Sequence, residues 1–425
     1  MQLPNGAVSF FQENWPTHEG RSTAMRILQV IHSMDPTGGG VAEGVNQLGA
    51  TLTSMGHCVE IASLDTPNAP FLDRSQLVIH ALGPASGGYG YTSRFVPWLR
   101  ENRARYDVVV VNGIWQFHSL ATWQALRNSD TPYVVYPHGM LDPWFKKEYP
   151  LKHIKKWLYW PWAEYRVLRN AKAVLFTCEE ERLSARKSFW LYKCHEEVVS
   201  LGTSLPAGDA GNEIHEFFGK YPELYGKKLI LFMGRIHPKK GCDQLIEAFA
   251  TVLFQHPDWH LVMAGPDQVG WQVELTQRAE QLGVASRITW TGMLSGQLKW
   301  GALRASEIFI LPSHQENFGI AVAESLAVGV PALISSKVNI WREVHADGAG
   351  FVAEDTVDGT SKLLRSYLEL SQAQKQVMRE CARSSFRKRF EISRAAENLE
   401  YTLLRITGSD AKTGDRRHEL LQIQS

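Results

Sequence analysis

Residues 229–253 read LILFMGRIHPKKGCDQLIEAFATVL. Five apolar residues run together, a loop opens at Gly234 and closes at Gly241, and Leu245, Ile246, Phe249, Val252 and Leu253 then recur at helical spacing. That is a strand, a turn and an amphipathic helix. A strand apolar on both faces belongs in a parallel sheet covered by helices. The rhythm continues at 260–264, 287–291, 308–311 and 332–335, each run with a helical stretch behind it. Upstream it starts with MRILQVI at 25–31, followed by GGG at 38–40 and a helix carrying Val45, Leu48, Leu52 and Met55. Further runs lie at 58–64, 107–111, 133–136, 173–177 and 198–201. Residues 202–228, rich in glycine, proline and charge, read as the crossing between the two series. The expectation is an α/β chain of two doubly wound domains.

The composition agrees. A chain of 425 residues exceeds a single core at roughly 100–200 residues per domain. Its 44% apolar and 21% charged residues are those of an ordinary globular protein. A formal charge of +1 argues against a surface built for nucleic acid, so any anionic partner is met locally. Cys58, Cys178, Cys194, Cys242 and Cys381 are scattered without a CxxC pair, which speaks against a disulfide framework or a zinc site and for a reducing cytosol. No apolar run reaches the roughly 18 residues that span a bilayer, and the start of the chain lacks the pattern of a secretion signal.

Three segments carry chemistry. Gly38, Gly39 and Gly40 stand between a strand and its helix, where N–H groups can approach an anion, although a tight turn explains them equally well. The pattern GxGxxG is not met, so a nicotinamide enzyme loses ground. In GRIHPKKG, Arg235 and Lys240 bracket a short loop at the carboxyl edge of the second sheet, where open α/β sheets bind ligands. A guanidinium fork and an ammonium suit a diphosphate whose charge grows as it leaves. In SHQENFGIAVAESLAVGVPALIS, Glu316 precedes a helix, Phe318, Gly319 and Ile320 are expected in its first turn, and Glu324 falls among apolar residues. Helix capping would account for Glu316. An unpaired acid at Glu324 would be unfavourable, so a hydroxyl partner is expected.

Taken in order, GGGVAEGV, GRIHPKKG, LVMAGPD, ITWTGML and the E-x7-E element from Glu316 to Glu324 resemble the family 4 glycosyltransferases of the GT-B fold, over residues 25–405. The resemblance implies two Rossmann-like domains facing across a cleft. An acceptor-side domain would cover 25–205 and a nucleotide-sugar domain 206–390, with a helix at 391–406 returning to the first domain. Residues 1–24 and 407–425 would be disordered. It also implies roles. Gly39 and Gly40 would face the donor diphosphate, Arg235 and Lys240 would bind it, and Asn317, Phe318, Gly319 and Ile320 would offer backbone donors. Glu316 would contact the donor sugar, Glu324 the ribose, and His138 in PHGMLDPWF would stand near the transferred sugar.

No DxD motif occurs, so neither a metal nor another cofactor is expected. The implied reaction is hexosyl transfer with retention, from a nucleotide sugar to a glycan or lipid-linked glycan of polysaccharide biosynthesis. Residues 144–172 carry eight Lys or Arg with interleaved Trp and Tyr. They suit an anionic membrane surface, and so a peripheral place on the inner face of the plasma membrane, or else an ordinary solvated face. The alternatives are a non-transferring sugar-nucleotide enzyme such as an epimerase, and a noncatalytic nucleotide- or membrane-binding module.

Overall fold

A computed structural model of the protein describes residues 24–36, 40–148 and 150–408. Gly38, Gly39, the first 23 residues and the tail beyond 408 lie outside the described residues. The first sheet holds β1 (Arg26–Ile31), β2 (Cys58–Ser63), β3 (Val78–Ala81), β4 (Val108–Asn112), β5 (Tyr133–Tyr136), β6 (Ala173–Phe176) and β7 (Glu196–Val198). The second holds β8 (Lys228–Met233), β9 (Trp259–Ala264), β10 (Ile288–Gly292), β11 (Ser306–Leu311), β12 (Ala332–Ser335) and β13 (Gly350–Ala353). The strand orders are β3-β2-β1-β4-β5-β6-β7 and β10-β9-β8-β11-β12-β13, and the central ladders are parallel. Each sheet starts at its middle, winds to one edge and returns to wind to the other.

Alternation explains the long apolar runs. Leu28, Val30, Val109 and Val111 face one core of the first lobe, while Ile27, Val108 and Val110 face another. Three strands differ from expectation. β3 and β13 are edge strands with mostly half-buried patterns, so neither shows the continuous apolar run of a central strand. β7 also starts two residues before the expected 198–201, at Glu196.

The segment 202–228 is more than a crossing. Its Ala210–Lys220 forms a helix capped by Asp209, whose side chain accepts from Asn212 N, and Phe217 and Leu224 enter the core of the second lobe. The chain therefore crosses over only a few residues, and it crosses again beside the same point. Thr203 N donates to Phe390 O at 2.9 Å, and Ile392 N to Thr203 O at 3.1 Å. Beyond this pair of crossings, the helix Ile392–Thr407 buries Ala395, Ala396, Leu399 and Leu403 against β1 and β4. At about 1.5–3 kcal/mol for each fully buried large aliphatic side chain, this helix fastens the end of the chain to the first lobe.

Candidate active site

In both sheets the strand order reverses at the middle, between β1 and β4 and between β8 and β11. The loops leaving such neighbours diverge and open a crevice. In the second lobe the loop after β8 carries Arg235 and Lys240, and the loop after β11 carries Glu316. His314 N donates to Lys239 O at 2.9 Å, which ties the two loops together. Lys240 is buried, with its ammonium against the Glu316 carboxylate. Burial, with Lys239 and Arg235 nearby, pulls its pKa down to about 7, and the Glu316 contact favours the charged form. Arg235 is exposed, and its side chain donates to a neutral amide, Gln268 Oε1, at 3.3 Å. Among the described residues no carboxylate pairs with it, so a full positive charge remains for a ligand.

The helix after β11 starts at Ile320, with Gly319 as its N-cap in the left-handed region. Phe318 and Gly319 thus precede the first turn, and Glu316 does not cap the helix. Instead Glu316 N donates to Lys337 O at 2.9 Å, and its own carbonyl accepts from Asn339 N at 3.0 Å, which pins its backbone. The Phe318 side chain is buried, with its ring 5.8 Å from that of Phe390, so only its backbone is available to a ligand. The N–H groups of Phe318, Gly319, Ile320 and Ala321 have no acceptor among the described residues. Four unpaired donors at a positive helix end form an anion site. Glu324 is buried and accepts from Lys299 Nζ at 2.7 Å, not from a hydroxyl. Burial raises its pKa while Lys299 opposes the shift.

The first lobe meets this group from the other side. Gly40 opens the helix Gly40–Ser54, and a Cβ placed on it would lie 2.7 Å from Ile320 Cδ1. His138 leaves β5 with φ of 50°, unusual for a residue with a side chain. Its ring stacks on Tyr136 at 5.4 Å, and its Nε2 lies 3.1 Å from Asn112 Oδ1. Burial lowers its pKa to about 4, so the imidazole is neutral near pH 7. A Cβ on the adjacent Gly139 would come 2.7 Å from Asn317 Cβ. Asn317 Nδ2 donates to Thr177 Oγ1 at 3.2 Å, and Gln315 Nε2 to Asp142 Oδ2 at 3.0 Å. The structure therefore brings Gly40, His138, Arg235, Lys240, Glu316, Asn317, Gly319, Ile320 and Glu324 to one interlobe cleft whose rims touch.

Three functional candidates escape the sequence reading. Lys299 sits on a helix with no motif around it. Gln29 and Asn112 do leave a signal, as lone amides within and at the end of otherwise apolar strands, MRILQVI and VVVVN.

The comparisons with known proteins fall on the same two lobes. The model described as "Glycosyl transferase 4-like domain" matches residues 39–202, and that described as "Glycosyl transferases group 1" matches 213–384. A GDP-mannose-dependent alpha-(1-6)-phosphatidylinositol dimannoside mannosyltransferase of Mycobacterium tuberculosis is 25% identical over 89% of this chain and 96% of its own length. A GDP-mannose:cellobiosyl-diphosphopolyprenol alpha-mannosyltransferase of Xanthomonas campestris is 24% identical over 77% of this chain and 83% of its own. Among solved structures, a sucrose-phosphate synthase of Thermosynechococcus elongatus superposes with a TM-score of 0.73 at 18% identity, over 91% of this chain and 100% of that one. Anabaena HepE, in complex with UDP and glucose, superposes with a TM-score of 0.71 at 16% identity, over 89% and 99%. Two adjoining family models, relatives along nearly the whole chain and the shared pair of parallel sheets make this chain a glycosyltransferase that belongs to family 4 and has the GT-B fold.

Proposed function

We propose that the chain transfers a hexosyl group, with retention, from a nucleoside diphosphate sugar to a glycan or lipid-linked glycan at the cytoplasmic face of a membrane. One observation carries the reading: Arg235, without a carboxylate partner among the described residues, and the N–H groups of Phe318 to Ala321, without an acceptor among them, flank the Lys240–Glu316 pair in one cleft. These are the groups a departing diphosphate needs. As the bond from the anomeric carbon to the phosphate oxygen breaks, negative charge gathers on that oxygen. Arg235, Lys240 and the helix end meet it, so the step needs no divalent cation. The acceptor hydroxyl attacks from the same face and gives its proton to the leaving phosphate. Two of the cleft's carboxylates, Glu316 and Glu324, are each engaged by a lysine, an arrangement that favours this front-face route over a carboxylate nucleophile. Both mannosyltransferase relatives are named for GDP-mannose, which makes it the donor to try first.

The membrane part rests on the helix Pro150–Tyr159, which buries no residue. Leu151, Ile154, Trp157 and Leu158 are exposed along it, and Trp162, Trp190 and Leu191 lie exposed nearby. An exposed apolar stripe edged with lysine is the pattern of an interfacial helix. Lys152 and Lys155 are exposed, whereas Lys156 turns inward over the Trp115 ring at 4.8 Å. No helix of the described residues is long and apolar enough to cross a membrane.

Transfer is tested by incubating the protein with GDP-mannose or UDP-glucose, with and without glycan acceptors, and measuring nucleoside diphosphate release. Release that requires an acceptor is expected. Release at the same rate without one, or none with any nucleotide sugar, ends the proposal. Lys152→Ser with Lys155→Ser is expected to weaken binding to anionic vesicles by about 2 kcal/mol, roughly thirtyfold at low salt. Equal sedimentation of wild type and variant with vesicles removes the membrane part alone.

A further inference from the structure

The first-lobe rim holds a chain of neutral hydrogen bonds that the transfer reading leaves unused. Gln29 in β1 and Asn112 at the end of β4 are neighbours at the switch point of the first sheet. Asn112 Nδ2 lies 2.8 Å from Gln29 Oε1, 3.4 Å from Val30 O and 3.5 Å from Val110 O. Backbone carbonyls can only accept, so the NH2 of Asn112 points to that side and its Oδ1 faces His138 Nε2 at 3.1 Å. An amide oxygen has no proton to offer. The proton between Asn112 and His138 therefore belongs to Nε2.

We propose that Asn112, held by Gln29, is a positioning residue that fixes the His138 imidazole as the Nε2–H tautomer and leaves Nδ1 to accept a hydrogen bond from a sugar hydroxyl in the cleft. This rests on the cleft being the transfer site. The surroundings of the ring carry little charge. Tyr136 stacks on it from β5, and Glu181 is taken up by Gly139 N at 2.5 Å and by Thr177. His118 Nε2 bonds the Asn112 carbonyl at 2.9 Å, and the second lobe presents Asn317. No described residue donates to His138 Nδ1. Two features point to use and not to packing alone. His138 holds a backbone conformation that side chains disfavour. Gln29 leaves its buried Nε2 without a partner so that Oε1 can serve Asn112, whereas an apolar residue there would be free of that penalty.

The test is Asn112→Asp, which keeps the shape and lets Gln29 turn its unpaired NH2 toward the new carboxylate. A carboxylate beside His138 favours the imidazolium and raises its pKa by about 1–3 units. Protonated Nδ1 cannot accept. The variant is thus expected to lose kcat/KM, approaching tenfold per pH unit, below a raised pKa of about 5–7, while wild type stays level down to about pH 5. Its nucleoside diphosphate affinity should stay near wild type, while its melting temperature falls, because a carboxylate oxygen then faces Val30 O and Val110 O. Alongside this, imidazole 15N spectra of wild type, with His138 identified by its loss in His138→Gln, are expected to show a neutral ring protonated at Nε2. If His138→Gln retains full transfer activity, the reading of the cleft fails. If His138→Gln is inactive while Asn112→Asp keeps the wild-type pH profile, the relay alone is wrong. Should Asn112→Asp not fold, the wild-type spectrum decides: an Nδ1–H tautomer or an imidazolium near neutral pH overturns the proposal.

Discussion

The two rims of the cleft handle buried polarity in opposite ways. On the second lobe, the acids meet full charges: the half-buried Glu316 pairs with Lys240, and the buried Glu324 with Lys299. On the first lobe, Glu60 in β2 still pairs with Arg26 and Arg105, but the two buried acids behind the cleft rim are hydrogen-bonded by neutral groups. Glu164 accepts from Trp115 N at 2.7 Å and Ser119 Oγ at 2.9 Å, and Glu181 from Gly139 N and from Thr177. Gln29, Asn112 and His138 carry no charge at all. The difference teaches a division of labour. A diphosphate needs cations and helix dipoles, which the second lobe provides, whereas sugar hydroxyls need fixed neutral donors and acceptors, which the first lobe provides.

The largest expected effect tests the charged side of that contrast. Arg235→Ala removes the guanidinium that no carboxylate of the described residues pairs with, and kcat is expected to fall by about 100- to 1,000-fold, or 2.7–4 kcal/mol, as when one oxyanion donor is lost. Steady-state kinetics with saturating donor measures this. Unchanged turnover would remove the diphosphate from the place assigned to it.

A stability measurement tests the neutral side. Glu164 is fully buried, and burial raises its pKa to about 7, with Ser119, Trp115 and Lys156 opposing. In the folded protein it keeps its proton to higher pH than in the unfolded chain. Its contribution is therefore fully present below the unfolded pKa near 4.3 and is lost as pH rises through about 7. Glu164→Gln is expected to match wild type in denaturant melts at low pH and to exceed it above pH 8 by on the order of 3 kcal/mol. A constant difference across the range would mean that Glu164 is ionised throughout, and the contrast between the lobes would narrow.

The contrast also explains what the sequence revealed. β1, β4, β8, β9 and β11 are legible because helices cover both their faces, so their apolar runs are unbroken. β3 and β13 are not, because an edge strand such as the one beginning at the exposed Val78 lacks that signature. Arg235, Lys240, Glu316 and Glu324 are legible as residues within local motifs, but their pairing is not. Lys240 and Glu316 meet across 76 positions of chain, and Glu324 meets Lys299 across 25. Burial of Glu324 implies a partner, and within the chain that partner is Lys299. Asn112 and Gln29, 83 positions apart, could be noticed only as amides misplaced in apolar strands. Their use depends on strand order, which no local pattern states.

Next in size come the two acids. Glu316→Gln removes a charge near the anomeric carbon, so kcat is expected to drop by about 1.5–3 kcal/mol, roughly 10- to 150-fold, with donor KM little changed. Glu324→Gln is expected to raise donor KM by about 1 kcal/mol, near fivefold, with kcat preserved. Opposite results would exchange the sugar and ribose roles between Glu316, in the loop after β11, and Glu324, on the helix Ile320–Ala327.

The smallest effects lie where the rims touch, and two glycines separate conformational strain from contact. Gly139 has φ of 75°, and a Cβ there would lie 2.7 Å from Asn317 Cβ and 2.8 Å from its Cγ. Gly139→Ala thus forces both a left-handed backbone on alanine, at about 1–2 kcal/mol, and a retreat of the facing loop. Gly40 carries no such strain, and the atom in the way is Ile320 Cδ1, the tip of a flexible side chain, at 2.7 Å. Gly40→Ala should therefore be absorbed by rotation of Ile320, with stability unchanged and donor KM altered less than about threefold, or 0.7 kcal/mol. Melting curves and donor KM for both variants decide the point. If Gly40→Ala lowers activity as much as Gly139→Ala, close approach of the rims governs catalysis and backbone strain at Gly139 does not. If only Gly139→Ala does, the loop that positions His138 is the sensitive part of the first rim.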